Sequence, residues 1–182
     1  MTAISKTAAF RGVSDCKIAK LTADTSAALT YSALVDVPIQ NLSITENREN
    51  HELKHDDSVQ AVESVLQSAD ISGTMARVSL DVLNALEGGT ITPTGSTKQT
   101  YVSKPADTVS YFKLEVVSAK AHADASDVAD VHIQFKKCKI QSLDYSIEDG
   151  FATINFTAKA IKTIKDGEIK SVVFNKEATA IA

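Results

Sequence analysis

Leu143-Asp-Tyr-Ser-Ile-Glu-Asp-Gly-Phe-Ala-Thr-Ile-Asn-Phe-Thr-Ala-Lys-Ala160 is the stretch whose reading decides the fold. From Ala152 to Ala160, Ile154, Phe156, Ala158 and Ala160 point one way, while Thr153, Asn155, Thr157 and Lys159 point the other. That period of two marks a strand with one buried face. Leu143, Tyr145 and Ile147 alternate in the same manner, and Glu148-Asp149-Gly150 between the two runs supplies the glycine a tight turn needs. The pair predicts a β-hairpin. Upstream, Cys138 and Ile140 lie in phase with each other, and the phase slips by one residue at Gln141-Ser142, as a β-bulge would make it.

Working outward, the same alternation appears in Val131, Ile133 and Phe135, in Phe112, Leu114 and Val116, and in Ala69, Ile71, Gly73 and Met75. Weaker strands are expected over 16–21, 33–37, 42–48 and 168–175, the last after a Lys165-Asp166-Gly167 turn. One segment reads as a helix. Ser79 stands at its cap, Asp81 suits the positive end of its dipole, and Gly88-Gly89 ends it. Leu80 with Leu83, and Val82 with Leu86, give that helix an apolar face for a sheet to cover. The expected fold class is mainly β: an antiparallel sandwich or partly closed barrel with one short packed helix. Three stretches fall outside this core: an N-terminal arm (1–14), a polar hairpin loop (46–58), and a Thr/Ser/Pro/Gly-rich loop (92–108).

Bulk properties narrow the function. The 182 residues fit a single domain, which would bury about 70% of its unfolded surface without a disulfide or metal. A net charge of -4 argues against a dedicated nucleic-acid binder. Cys16 and Cys138 form no C-x-x-C motif and read as small buried hydrophobes of a protein made in a reducing cytosol. No secretory leader or long apolar span is expected.

His51-Glu52-Leu53-Lys54-His55 matches H-E-x-x-H, in which two helical histidines hold Zn²⁺ and the Glu is the general base. Its flanks, Arg48-Glu49-Asn50 and Asp56-Asp57-Ser58, leave no apolar face to bury such a helix. As a strand it would hold the two histidines about 13 Å apart, too far to share an ion. A zinc peptidase is therefore the lesser reading, and an exposed charged hairpin the better one. No catalytic residue, cofactor or metal ligand is assigned. His122 and His132 show no carboxylate constellation in sequence, and Lys136-Lys137-Cys138-Lys139 reads as a guarded, solvated strand edge.

Two stretches carry a resemblance. The first comprises Asp15-Cys-Lys-Ile-Ala-Lys-Leu-Thr-Ala-Asp-Thr25, Tyr31, Val35-Asp-Val-Pro38, Leu42-Ser-Ile-Thr-Glu46, His55-Asp-Asp57 and Ser79-Leu-Asp-Val-Leu-Asn-Ala-Leu-Glu-Gly-Gly89. The second is Phe135-Lys-Lys-Cys-Lys-Ile140 followed by Ser142 to Phe156. In order and spacing they resemble the major tail (tube) protein family of long-tailed bacteriophages and prophages of Gram-positive bacteria. The resemblance implies a structural virion protein. Its subunits would form hexameric rings stacked into a tail tube that conducts DNA during ejection. It implies self-association, with tape measure and tail terminator proteins as further partners, DNA passing the lumen without specific binding, and no membrane partner. The location implied is the virion tail, assembled in the bacterial host cytoplasm. The loop matched to inter-ring contact would carry Glu46, Arg48, Glu49, His51, Glu52, Lys54, His55, Asp56 and Asp57. Alternatives of other classes are the inner tube protein of a contractile injection system and a monomeric β-sandwich binding module, the latter weakened by 5% aromatic content and no Trp.

Overall fold

The hairpin read from 143–160 is present. A computed structural model describes residues 8–55, 58–77, 79–120, 128–147 and 152–181, with backbone alone at 10, 54, 55, 58, 59, 94 and 120. Strand β9 (Asp130–Ser146) pairs antiparallel with β10 (Thr153–Ala160) from Ser146↔Thr153 to Cys138↔Ala160. Thr157 faces Ser142 while Ala158 faces Ile140, so Gln141 is the extra residue of the bulge. The Glu148-Asp149-Gly150 turn lies outside the described residues. Ile154, Phe156, Ala158 and Ala160 are all buried, as their alternation requires.

From this hairpin the sheet grows both ways. On one side β5 (Ser58–Met75) pairs with β10 through Ala69–Met75, and β4 (Ile39–His55) pairs along β5. On the other side β8 (Phe112–Lys120) pairs with β9, and β1 (Phe10–Asp24) with β8. β2 (Leu29–Tyr31) and β3 (Val35–Asp36) add to β1, while β11 (Lys170–Asn175) takes the edge of β9 opposite β8. The chain after β3 then closes the curl. Val37 N–H donates to Cys16 O, Ala76 N–H donates to Pro38 O, and Ile39 faces Met75, so β4 returns alongside β1. The result is a mostly antiparallel, partly closed barrel whose interior holds Ile18, Ile71, Met75, Phe112, Leu114, Phe135 and Phe156.

Helix α1 (Leu80–Glu87) covers one flank, burying Val82, Leu83, Ala85 and Leu86. Ser79 holds the N-cap position in extended geometry, but its side chain makes no capping bond. At the other end Gly88 is left-handed (φ 79°) and its N–H donates to Asn84 O.

Two expected loops are strands. Within 92–108 the chain forms a hairpin of β6 (Thr90–Thr94) and β7 (Lys98–Val102), turned at Gly95 with φ 69°. Tyr101 of β7 lays its ring against Gly89 and donates its hydroxyl to Glu87 Oε2, which holds the hairpin to the helix end. The last residues of the expected 1–14 arm are strand, because β1 starts at Phe10, opposite Lys120, and residues 1–7 lie outside the described ones. The extra residues of β1 are absorbed as an irregularity between Arg11 and Asp15, where Gly12 has φ 62°. Both cysteines are buried as small apolar groups.

Candidate assembly interface

The described part of the 46–58 hairpin is the distal part of one long ribbon. β4 and β5 stay paired from Ile39↔Met75 to His55↔Ser58. The barrel core ends where Asn47 faces buried Ser68. Beyond it, residues 48–53 and 60–65 are all exposed, so the ribbon projects as an arm of about eight residue pairs, roughly 26 Å at the usual strand rise. Bulges at Gln67 and Gln60 add local twist to it.

The arm's base is tied into the barrel. Asn47 Nδ2 donates to Asp70 Oδ2 at 2.7 Å and to Ser68 Oγ at 3.2 Å. Glu46 is ion-paired with Lys170 of β11 and, at 2.8 Å, with Arg48. The Lys170 hydrogen bond, helped by Arg48, holds the Glu46 carboxyl below the usual carboxylate range. Asn47 does the same for Asp70, against the opposing pull of desolvation. Farther out, Gln67 Nε2 donates to Glu49 Oε2, and His51 Nε2 lies 3.6 Å from Glu49 Oε1.

Opposed residues share a face, so one face of the arm carries Glu49/Val65, His51/Glu63 and Leu53/Ala61. The other carries Arg48/Leu66, Asn50/Ser64 and Glu52/Val62. Leu53 is 65% exposed and Val62 60%, with Val65 less so, and no core of this chain lies beneath them. Of the residues expected to mediate contact, Glu46 and Arg48 belong to the anchored base, and Glu49, His51 and Glu52 to the projecting part. Lys54 and His55 are placed by backbone pairing only, and Asp56 and Asp57 lie outside the described residues. The apolar members Leu53, Val62 and Val65 are absent from the sequence-derived set. Their signal was available: large aliphatics interspersed in a polar run, where a solvated loop has no need of them.

The zinc-peptidase alternative loses its geometry here. His51 and Glu52 are consecutive in a strand and project to opposite faces, so the base would not share a face with its ligands. Among the described residues no group of three His, Cys, Asp or Glu side chains is placed to hold a metal ion.

Further surface is left by open sheet edges. β11 pairs with β9 alone among the described strands and exposes Val172 and Val173. The Lys136–Lys139 run, by contrast, is not an edge. It lies in β9, between β8 and the β10/β11 side. Lys136 pairs with Glu168 at 2.5 Å and Asp166 at 3.5 Å, Lys137 with Asp24 at 2.6 Å, and Lys139 lies over the Tyr111 ring. These lysines are occupied within the chain. His122 lies outside the described residues, whereas His132 is buried beside Glu115 and Asp130, a constellation not visible in sequence.

No family model and no curated protein matches the sequence. Among solved structures, the chain is similar to a chain of the anti-feeding prophage cap (the tube terminating cap), at 9% identity and TM-score 0.47, covering 96% of this chain and 95% of that one. A chain of the tail of an empty GTA particle, refined with C6 symmetry, is similar at 15% identity and TM-score 0.40, covering 87% and 94%. A type six secretion system protein is similar at 12% identity and TM-score 0.40, covering 85% and 80%. These likenesses are too loose to carry a function.

Proposed function

We propose that this chain is the structural subunit of a phage tail tube, polymerising as stacked, hexameric rings into the conduit through which DNA leaves the capsid. The observation that carries the reading is the β4–β5 arm: a two-stranded ribbon, anchored at its base by Asn47–Asp70 and Glu46–Lys170, that holds Leu53 and Val62 out in water. A lone ribbon with both faces solvated is marginal in water. Covering a Leu or Val side chain contributes about 1.5–3 kcal/mol at full burial, and ring symmetry repeats the gain for each subunit. The open edge of β11 adds a place where a neighbouring sheet can pair. The sequence resemblance over 15–89 and 135–156 points the same way.

In this role Glu49, His51, Glu52 and Leu53 meet the adjacent ring, and tape measure and tail terminator proteins meet the ends of the tube. The excess of Asp and Glu is partly on the lumen, where it lets the duplex slide instead of binding it. Electron microscopy of concentrated protein tests the assignment. Hollow tubes of stacked rings are expected, and the double variant Leu53→Glu, Val62→Glu should leave soluble, folded subunits. A wild-type particle that stays solitary at every concentration overturns the reading.

A further inference from the structure

On the sheet face away from the barrel core, register brings together groups that sequence keeps far apart. Glu115 of β8 lies two residues before Val117, which faces His132, and Val173 of β11 faces His132 from the other side. Glu115, Val117, Asp130 and His132 are all buried, although they point away from the core. Residues 176–181, which follow β11, are tied to this face. Thr179 N–H donates to Asp130 Oδ2 at 2.7 Å, Thr179 Oγ1 lies 3.3 Å from His132 Nε2, and Asn175 Nδ2 donates to Thr179 Oγ1 at 2.7 Å. The segment ends on buried Ile181.

His132 is the centre of the arrangement. Its Nδ1–H donates to Glu115 Oε1 at 2.7 Å, and Nε2 lies 3.5 Å from Asp130 Oδ2. The groups around it are charged. On β8, Lys113 pairs with Glu115 Oε2 at 2.7 Å. On β1, Lys17 and Asp15 stand on the same face, opposite Glu115 and Val117, and the exposed Arg11 stands opposite Ala119, in the row of Asp130. β11 contributes the neutral Ser171, Val173 and Asn175, and the charged strap residues Lys176 and Glu177 are exposed. Lys113 thus serves Glu115, whereas among the described residues the ion pair of Asp130 is with His132, and its Oδ1 is buried with no hydrogen-bond partner among those residues.

We infer that residues 176–181 form a proton-gated strap, closed over the β8–β9–β11 face while His132 is an imidazolium and released when it becomes neutral. Loss of the proton removes the one ion pair that the buried Asp130 side chain makes among the described residues. A buried charge in that position is costly until water reaches it, and the group lying over Asp130 is the Thr179 amide. Burial alone would favour the neutral ring, but the Glu115 hydrogen bond and the Asp130 and Glu115 charges outweigh it and raise the His132 pKa above its ordinary value. The closed strap is therefore fully favoured below about pH 6.5 and is lost as pH rises through the raised folded-state value.

Amide hydrogen exchange of the full chain, corrected for intrinsic rates, is the test. Protection of residues 176–181 should fall severalfold between about pH 6 and about pH 9, while β9 and β10 keep theirs. His132→Gln should leave the strap open at both values. Asp130→Asn, which removes the charge but keeps an acceptor for the Thr179 amide, should keep it closed at both. Unchanged protection in the wild type, or a pH response surviving in Asp130→Asn, overturns the inference. Should a variant fail to fold, NMR of the wild type decides. The His132 ring and the Ile181 methyl must then titrate with one midpoint, and an Ile181 signal indifferent to the His132 titration refutes the strap.

Discussion

Gly73 shows how a single position sets the packing. It faces Leu42 across β4 and Phe156 across β10, and an added Cβ would stand 2.7 Å from Asn41 O and 2.8 Å from Phe156 Cε1. Only a glycine lets the Phe156 ring come this close to the strand. Gly73→Ala should therefore destabilise the fold by about 1–3 kcal/mol through overpacking, read as an earlier midpoint in urea unfolding. The cysteines are set by burial alone. Desolvation, with a smaller contribution from Asp15, pushes the Cys16 thiol up to about 12, and desolvation raises Cys138 as well. Neither should react with a thiol reagent near pH 8 in the folded protein, and both should react in denaturant. Fast labelling of the native chain would contradict the buried placement. His132 marks where residue-level reading stops. Its partner Glu115 is 17 positions away, and only the register of β8 on β9 joins them.

At the scale of elements, legibility followed solvation. The β9–β10 hairpin and the Gln141 bulge could be read because each strand buries one face, which writes a period of two into the residues. The arm could be read as an exposed charged hairpin but not as strands of this length, since residues 48–53 and 60–65 are exposed on both faces and nothing selects for alternation. Its proposed contact set is matched through the family resemblance, and the exposed aliphatics Leu53, Val62 and Val65 are not in that set. The β6–β7 hairpin was hidden for another reason. Thr, Pro and Gly fit a turn equally well, and what ties the hairpin to the helix end is the packing of Tyr101 on Gly89 and its hydrogen bond to Glu87, which no local pattern announces. The arm's independence from the core is testable. Replacing residues 49–65 by an Asn-Gly turn removes, among the described side chains, only exposed ones, and spares Asn47, Ser68 and Asp70. The shortened chain should keep its β circular dichroism and unfold cooperatively, yet form no tubes in electron microscopy. A loss of fold would mean the arm belongs to the core after all.

Across the whole molecule, a few carboxylates tie strands to one another, and two of them, Asp24 and Glu46, join strands that the sheet order keeps apart. Asp24, at the end of β1, accepts from Lys137 of β9 at 2.6 Å and from the Ile164 amide of the segment leading to β11. Glu46 joins β4 to β11, Asp70 joins β5 to β4 and, through Lys159, to β10, and Glu115 joins β8 to β9. Burial would raise the Asp24 carboxyl, but its Lys137 and Ile164 hydrogen bonds prevail and hold it low. Glu115 is likewise held low, against its own burial, by Lys113 and His132. With Glu46 and Asp70 also depressed, all four are ionised in the fold at a pH where the unfolded chain has begun to bind protons. Their contribution is present above the ordinary carboxylate range of about 4 and is lost as pH falls through the lower folded values. Thermal unfolding should accordingly hold a steady midpoint from about pH 5 to 7 and drop below about pH 4. Asp24→Asn should lower the midpoint near neutrality and flatten the drop, because one of the titrating ties is already gone. A midpoint unmoved down to about pH 2 would show that these ion pairs are surface ornaments and that apolar packing alone closes the barrel.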